Sequence, residues 1–137
     1  MSEPTNPFEV IEVDVRGVPT KVFAGTPSSL RAIWDASAAH GPNTFLVYED
    51  ERYTFADVHR QVRALAHRLT GDMGVRQGDR VAIATRNYPE WAVAFWAGVS
   101  VGAVVVPLNA WWTGPELAYG LGDSGSVVRT LKAWRFA

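Results

Sequence analysis

The sequence predicts an α/β fold in which a parallel β–α–β core is preceded by two β-hairpins. Residues 81–85 and 103–106 are short apolar runs rich in β-branched residues, and Pro89 marks the start of a helix between them. Two parallel strands joined by a helix form a right-handed unit. Residues 10–23 and 44–55 each contain two strand-like runs around a turn, which predicts the hairpins.

The two hairpins are predicted from alternation and turn chemistry. Apolar and acidic residues alternate over residues 10–15, which is typical of a half-exposed strand, and residues 20–23 return after a turn that contains Gly and Pro. Residues 44–48 and 52–55 flank an acidic Glu-Asp-Glu turn. In each case the turn between the two strands is short, so the strands are expected to lie side by side and antiparallel.

Two amphipathic helices are predicted around the second hairpin. Thr26 as cap and Pro27 at the first helical position indicate a helix that ends near Ala39, and Thr54 is expected to cap another over residues 55–70. The expected inner faces comprise Leu30, Ile33, Trp34 and Ser37 in the first helix, and Phe55, Val58, Val62, Leu65, Ala66 and Leu69 in the second. The residues expected to face water are Arg60, Arg63, His67 and Arg68.

The helix of the β–α–β unit is predicted over residues 89–101, and residues 91–115 contain no charge. Because this helix has no polar face, we expect it to be covered on more than one side. A transmembrane span is the competing interpretation, and Gly, Ser, Pro and Asn residues that interrupt the apolar run argue against it. Gly98 and Gly102 are expected to allow close packing of helix on sheet. A last helix is expected after Thr113.

Composition excludes several classes of function. The chain has 137 residues, 47% hydrophobic and 20% charged, which is ordinary for a soluble globular domain or part of one. A net charge of −1 gives no reason to expect nucleic acid or an anionic membrane as partner. The absence of cysteine excludes disulfides and thiolate chemistry and suits a reducing cytosol. The acidic N-terminus is unlike a signal peptide.

The three histidines of the chain are candidate site residues. His59 and His67 lie two turns apart on one predicted helix, whereas metal-binding pairs usually lie one turn apart. Both are therefore expected to face solvent. His40 lies at a helix end, where a cation interacts favourably with the helix dipole. No histidine is predicted to bind a metal.

Trp111 and Trp112, beside Asn109, either line a pocket or pack in the core or an interface, and packing is the favoured interpretation. The turn at residues 86–88 follows the first core strand but lacks the glycines of a dinucleotide-binding GxGxxG loop. No GxxxxGK[ST] phosphate loop or Ser-His-Asp arrangement is evident. The residues alone thus predict an α/β domain with no visible catalytic constellation.

Five sequence blocks, in this order, carry a resemblance to a known family: Tyr53-Thr54-Phe55, Gly74 to Ile83, Asn87-Tyr88-Pro89-Glu90-Trp91, Gly102 to Asn109, and Glu116-Leu117 through Gly125. They resemble the N-terminal part of the AMP-forming acyl-CoA synthetases of the adenylate-forming superfamily. The Trp111-Trp112-Thr113-Gly114 segment is most similar to that of fatty-acid-CoA ligases. The resemblance implies the first subdomain of the large domain of these enzymes, which is mainly scaffold.

The resemblance implies a cytoplasmic enzyme of fatty acid metabolism. Such enzymes use ATP and Mg²⁺ to convert a fatty acid to an acyl-adenylate, releasing pyrophosphate, and then transfer the acyl group to CoA. The family's phosphate loop, adenylate motif, ribose motif and C-terminal lysine lie beyond the matched blocks. No residue here is therefore assigned as catalytic, cofactor-binding or metal-binding, substrate-binding residues are unassigned, and the chain alone is expected to be inactive.

The domain boundary is placed at residue 126. Residues 1–126 are interpreted as a mobile lead-in and the N-terminal part of an AMP-binding domain, and residues 127–137 as a divergent basic tail. An altered reading frame with an early stop would produce such a tail, and a natural short tail is the alternative. The rival hypothesis is a stand-alone interaction module that binds a partner through residues 91–106. We also expect self-association through an exposed apolar patch of the 89–101 helix and the Trp111–Trp112 pair.

Overall fold

The structure, a computed structural model, describes residue 6 and residues 8–127. Most of the predicted lead-in, and all of the predicted tail except Val127, lie outside the described residues. A short 3₁₀ turn, Ala38–His40, extends the first helix. The strands and α-helices follow the order β1 (Val10–Val15), β2 (Val18–Phe23), α1 (Leu30–Ser37), β3 (Thr44–Tyr48), β4 (Glu51–Thr54), α2 (Phe55–Gly71), β5 (Arg80–Ile83), α3 (Pro89–Ser100), β6 (Val104–Pro107) and α4 (Gly114–Asp123).

The predicted β–α–β unit is confirmed. Strands β5 and β6 pair in parallel, with Arg80 opposite Val104 and Ile83 opposite Pro107. All but the first residue of β5 are buried, so this strand forms the centre of the core. On the side of β5 away from β6, the N–H of Val127 donates to the carbonyl oxygen of Arg80 at 2.9 Å.

Both predicted hairpins are confirmed. Strands β1 and β2 are antiparallel, and β2 begins at Val18, two residues earlier than expected. The loop therefore has only two residues, Arg16 and Gly17, with φ angles of 55° and 83°. Positive φ at both positions is the conformation of the tight turn that matches the twist of paired strands. Strands β3 and β4 form the second antiparallel pair.

The predicted start of α1 is wrong. The helix begins at Leu30, and Ser29 is the cap, because its hydroxyl oxygen accepts the N–H of Ala32 at 3.1 Å. The predicted apolar face is also only partly buried. Trp34 is buried, but Leu30 and Ile33 are exposed. The helix spans only eight residues, and it packs against α3 along the side that carries Trp34.

Helix α2 begins where the sequence predicts, at a reciprocal cap formed by Thr54 and Asp57. The Thr54 N–H donates to the Asp57 carboxylate at 3.1 Å, and the Asp57 N–H donates to the Thr54 hydroxyl at 3.1 Å. This arrangement satisfies backbone donors that the helix leaves unpaired. The inner face is confirmed by complete burial of Val58, Val62 and Leu69.

Helix α3 is covered on several sides, as the lack of a polar face predicts. It packs against α1, α2, β3, β5 and β6, and none of its side chains is exposed. Gly98 allows the closest approach, because a Cβ atom there would lie 2.7 Å from Cγ2 of Val105. The expectation that this helix leaves an apolar face exposed is therefore wrong. Of residues 91–106, only Gly102 and Val104 are exposed.

None of the helices within the described part of the chain has the length and apolar content needed to span a bilayer.

Candidate functional site at the carboxyl ends of the parallel strands

A cleft with the shape of a ligand site lies at the carboxyl ends of β5 and β6. Because the strands are parallel and in register, both end at the same edge, where the N–H of Leu108 donates to the carbonyl oxygen of Ile83 at 2.9 Å. Ligands of parallel sheets bind beyond this edge. The cleft has a volume of about 600 Å³ and is lined by Thr85, Arg86, Asn87, Trp91, Pro107, Leu108, Asn109, Ala110 and Trp111.

A cation and an aromatic ring form the outer wall of the cleft. The guanidinium carbon of Arg86 lies 3.9 Å from the centre of the Trp111 ring, within the range of a cation–π contact. The loop that carries Trp111 is held by a hydrogen bond in which the backbone N–H of Trp111 donates to the side-chain oxygen of Asn109 at 2.9 Å. The two loops that follow the strands thus meet through Arg86 and Trp111.

The favoured interpretation, that both tryptophans are packing residues, is wrong for Trp111. Trp111 is 73% exposed and lines the cleft. Trp112 lies against α4, because a Cβ atom at Gly120 would be 2.8 Å from its ring. The two side chains therefore point to different surroundings. Their adjacency in the sequence does not reveal this difference.

The cleft offers positive charge, a flat aromatic face and amide groups. Arg86 is exposed and suits an anionic group such as a phosphate. Trp111 offers a ring on which a planar group can stack. Asn87 and Asn109 carry hydrogen-bonding amides. No carboxylate, histidine or hydroxyl nucleophile other than Thr85 lines the cleft, so it is suited to binding rather than to proton transfer.

The histidines agree only in part with expectation. His67 is exposed, but His59 is half-buried and its ring stacks on Trp34, with the ring centres 3.8 Å apart. The expectation that His59 faces solvent is therefore wrong. His40 contacts Phe55, with ring centres 4.9 Å apart. Among residues 6 and 8–127, no group of three or more His, Cys, Asp or Glu side chains is placed to hold a metal.

Residues Thr70, Gly71 and Asp72 spell Thr-Gly-Asp, the tripeptide of the ribose motif in the resembling family, but they form the end of α2. The Thr70 hydroxyl donates to the carbonyl oxygens of Ala66 and His67, both at 3.2 Å. Asp72 pairs with Arg68 at 3.4 Å. These side chains are thus engaged in the helix end and do not line the cleft.

The family of the chain follows from its sequence pattern. The pattern of the AMP-binding enzyme family matches residues 33–132, which is most of the chain. The chain belongs to this family. The match begins within α1 and includes the whole β–α–β unit and the cleft.

Curated relatives of this chain include CoA ligases. The crotonobetaine/carnitine–CoA ligase of Salmonella paratyphi A is 32% identical over 102 residues, which are 70% of this chain and 20% of the relative. The corresponding Salmonella typhimurium ligase matches to the same extent. The chain thus spans about a fifth of the length of these curated relatives.

Solved structures show the same fold. The N-terminal subdomain of Klebsiella oxytoca NpsA, in complex with anthranilyl-AMSN, matches with a TM-score of 0.67 and 25% identity over 72% of this chain and 26% of that one. A Rhodopseudomonas palustris protein assigned as a long-chain-fatty-acid CoA ligase matches with a TM-score of 0.65 and 31% identity over 72% and 25%. The α/β fold is that of the N-terminal subdomain of adenylate-forming enzymes.

Sequence reasoning missed the contribution of Arg86 to this site. The residue follows strand β5 directly, and the loop after β6 carries Trp111. Because parallel strands place their following loops at one edge, the two positions form a pair that the predicted topology already brings together. The positions of these two loops in the predicted topology, rather than a sequence motif, could therefore have identified Arg86 as a site residue.

Proposed function

We propose that this chain forms the N-terminal part of an ATP-dependent acyl-CoA ligase. The complete ligase activates a carboxylic acid, a fatty acid by resemblance, to an acyl-adenylate with release of pyrophosphate, and transfers the acyl group to CoA. The observation that carries the proposal is the 32% identity to CoA ligases over 70% of the chain, within the match to the AMP-binding family. A cytoplasmic location is part of the same proposal, and the absence of cysteine is compatible with it.

The chain contributes scaffold and a binding surface to this reaction, and the chemistry is supplied elsewhere in the ligase. Stabilising the charge that develops at the α-phosphate needs preorganised cations and N–H donors. The family's phosphate loop and C-terminal lysine do not occur within these 137 residues. The described side chains include no candidate metal cluster, so we assign no Mg²⁺ ligand among them.

The cleft at the carboxyl ends of β5 and β6 is proposed to contact a nucleotide-bearing substrate. Both ATP and CoA carry phosphates and an adenine ring. The exposed Arg86 guanidinium suits the negative charge of the phosphates, and the exposed Trp111 ring suits stacking by the adenine. Replacing either side chain by alanine should therefore weaken nucleotide binding without unfolding the domain.

The expected result for the chain alone is no carboxylate-dependent exchange between ATP and pyrophosphate. The assay uses the purified 137-residue chain with fatty acids of several lengths and a no-protein blank. Exchange above this blank, in a preparation free of any complete ligase, would contradict the assignment of the chemistry to other parts of the enzyme.

The ligase proposal itself is tested in a chimera. The matched segment of 102 residues replaces its counterpart in the crotonobetaine/carnitine–CoA ligase of Salmonella typhimurium. The chimera should form the CoA thioester, and the same chimera carrying Ile83→Asp should not, because a charge is then placed in the buried core strand. A folded chimera without activity would argue against the proposal.

A further inference from the structure

A second cavity lies between α1, α2 and the end of α3, and its lining shares no residue with the cleft described above. Its volume is about 380 Å³, which falls within the range of small-molecule sites. The cavity is lined by Arg31, Trp34, Asp35, Ala38, His59, Val62, Arg63, Ala66 and Ser100. One wall is thus apolar and aromatic, while the rim is charged.

Stacked rings make the aromatic wall rigid. The Trp34 ring lies between two others, with its centre 3.8 Å from that of His59 and 4.9 Å from that of Trp96. The planes differ by only 16° and 15°. Because Trp34 is buried, it cannot rotate away without opening the core between α1 and α3.

The hydrogen bonds of Ser37 determine which nitrogen of the neutral His59 ring carries the proton. The Ser37 hydroxyl donates to the Trp34 carbonyl oxygen at 2.6 Å, and its oxygen lies 3.0 Å from Nε2 of His59. A hydroxyl has one proton, so Nε2 is the donor in the second bond and Nδ1 carries the lone pair. Burial, followed by the charge of Arg63, lowers the pKa of His59, which favours this neutral form.

The charges at the rim sum to about one positive charge. Arg31 lies 3.6 Å from the carboxylate of Asp35, and both side chains are largely exposed. Arg63 has no ion-pair partner among the described residues and also lies on the rim. With His59 neutral, one arginine is balanced by Asp35 and the other is not. The cavity is therefore matched to a ligand with a single negative charge.

We propose that this cavity binds a small organic monoanion with a flat apolar body, such as an aromatic carboxylate. Its carboxylate pairs with Arg63, and its body lies against Ala66 and the His59 ring, because Trp34 and Val62 behind them are almost fully buried. The proposal is independent of the ligase function, because it concerns a different cavity and requires no ATP or CoA.

Benzoate titrated into the full 137-residue chain tests the site, with the ring protons of His59 followed by NMR. The His59 signals are identified by their loss in a His59→Gln variant. They should shift and saturate with benzoate, and benzamide, which has the same shape without the charge, should bind about tenfold more weakly. A signal at His59 separates this cavity from the cleft at Arg86.

Arg63→Gln and Arg60→Gln form the matched pair of variants. Both residues are exposed on α2, but Arg60 pairs with Asp57 at 2.7 Å and does not line the cavity. Arg63→Gln should weaken benzoate binding about tenfold, whereas Arg60→Gln should leave it unchanged. The proposal is overturned if His59 does not shift, if benzamide binds as well as benzoate, or if both variants bind benzoate alike.

Discussion

Gly98 of α3 is the position where adding one methyl group tests the packing of the core most directly. A Cβ atom at this position would lie 2.7 Å from Cγ2 of Val105 in β6. Ordinary carbon–carbon contacts are about 3.5–4.0 Å, so helix and strand would have to separate by about 1 Å. Val105 is half-buried and β-branched, which restricts how its methyl group can turn away.

Two opposing terms set the effect of Gly98→Ala on the free energy of unfolding. Alanine in a helix is favoured over glycine by about 1 kcal/mol. Overpacking a close contact costs about 1–3 kcal/mol. The cost of overpacking is expected to exceed the gain in helix propensity, which leaves a net destabilisation of about 1 kcal/mol. For a chain of 137 residues this corresponds to a fall in Tm of about 3–5 °C.

Gly71→Ala is the matched control, because Gly71 ends α2 and has no atom within 4 Å of the added Cβ. It should raise stability by up to about 1 kcal/mol. Urea unfolding of both variants, and of Gly98→Ala combined with Val105→Ala, measures the coupling. The double variant should lose less stability than the sum of the single ones. A stabilising Gly98→Ala with no coupling to Val105 would refute the close approach of α3 to β6.

Three further outcomes follow from the fold. Ile83→Asp should unfold the chain, since an unpaired charge in the buried strand costs several kcal/mol; an unchanged Tm would contradict the placement of β5. Hydrogen bonds from Thr54, first its side chain and then its backbone, lower the pKa of Asp57 from 3.8 to about 2, so its stabilisation is present above pH 3.8 and is lost as pH falls toward 2. Asp57→Asn should flatten that part of the curve of stability against pH. If the curves of the variant and the unmodified chain ran parallel there, the lowered pKa of Asp57 would be contradicted. Self-association was expected through α3 and the Trp111–Trp112 pair; because α3 is covered, we propose instead that the 15.0 kDa chain self-associates through exposed apolar side chains of β1–β2 and Trp111. Sedimentation as a monomer that binds no hydrophobic dye would exclude this.

The starts of α2 and α3, which are specified by residues near each other in the sequence, were predicted at the correct position. Pro89 begins α3, and the cap of α2 at Thr54 involves a residue three positions away. The start of α1 was predicted wrongly at Thr26-Pro27, because a local pattern does not show which hydroxyl reaches a free backbone N–H. The structure selects Ser29, whose hydroxyl reaches the N–H of Ala32.

Contacts between distant residues were beyond the sequence patterns. The stack of His59 on Trp34 joins residues of two helices that are separated by a hairpin, so helical periodicity places His59 in water. Covering of α3 on more than one side was predicted, but an exposed apolar face was wrongly expected, because its contacts with α1 and β3 join residues that are far apart in the sequence. A pocket at Trp111 was weighed but not favoured, and the role of Arg86 was missed for a similar reason, since the two side chains meet only through the parallel pairing of β5 and β6.

The first hairpin gives the molecule two regions of different cooperativity. Strands β1 and β2 pack chiefly on each other, and their side chains Val10, Val15, Val18 and Phe23 are all exposed. Two-stranded hairpins are marginally stable alone in water. Amide protons of β1 and β2 should therefore exchange through local opening, long before those of β5, whose exchange requires the core to unfold. The family match begins at residue 33, so this early-opening segment lies outside the part of the chain that defines the enzyme family.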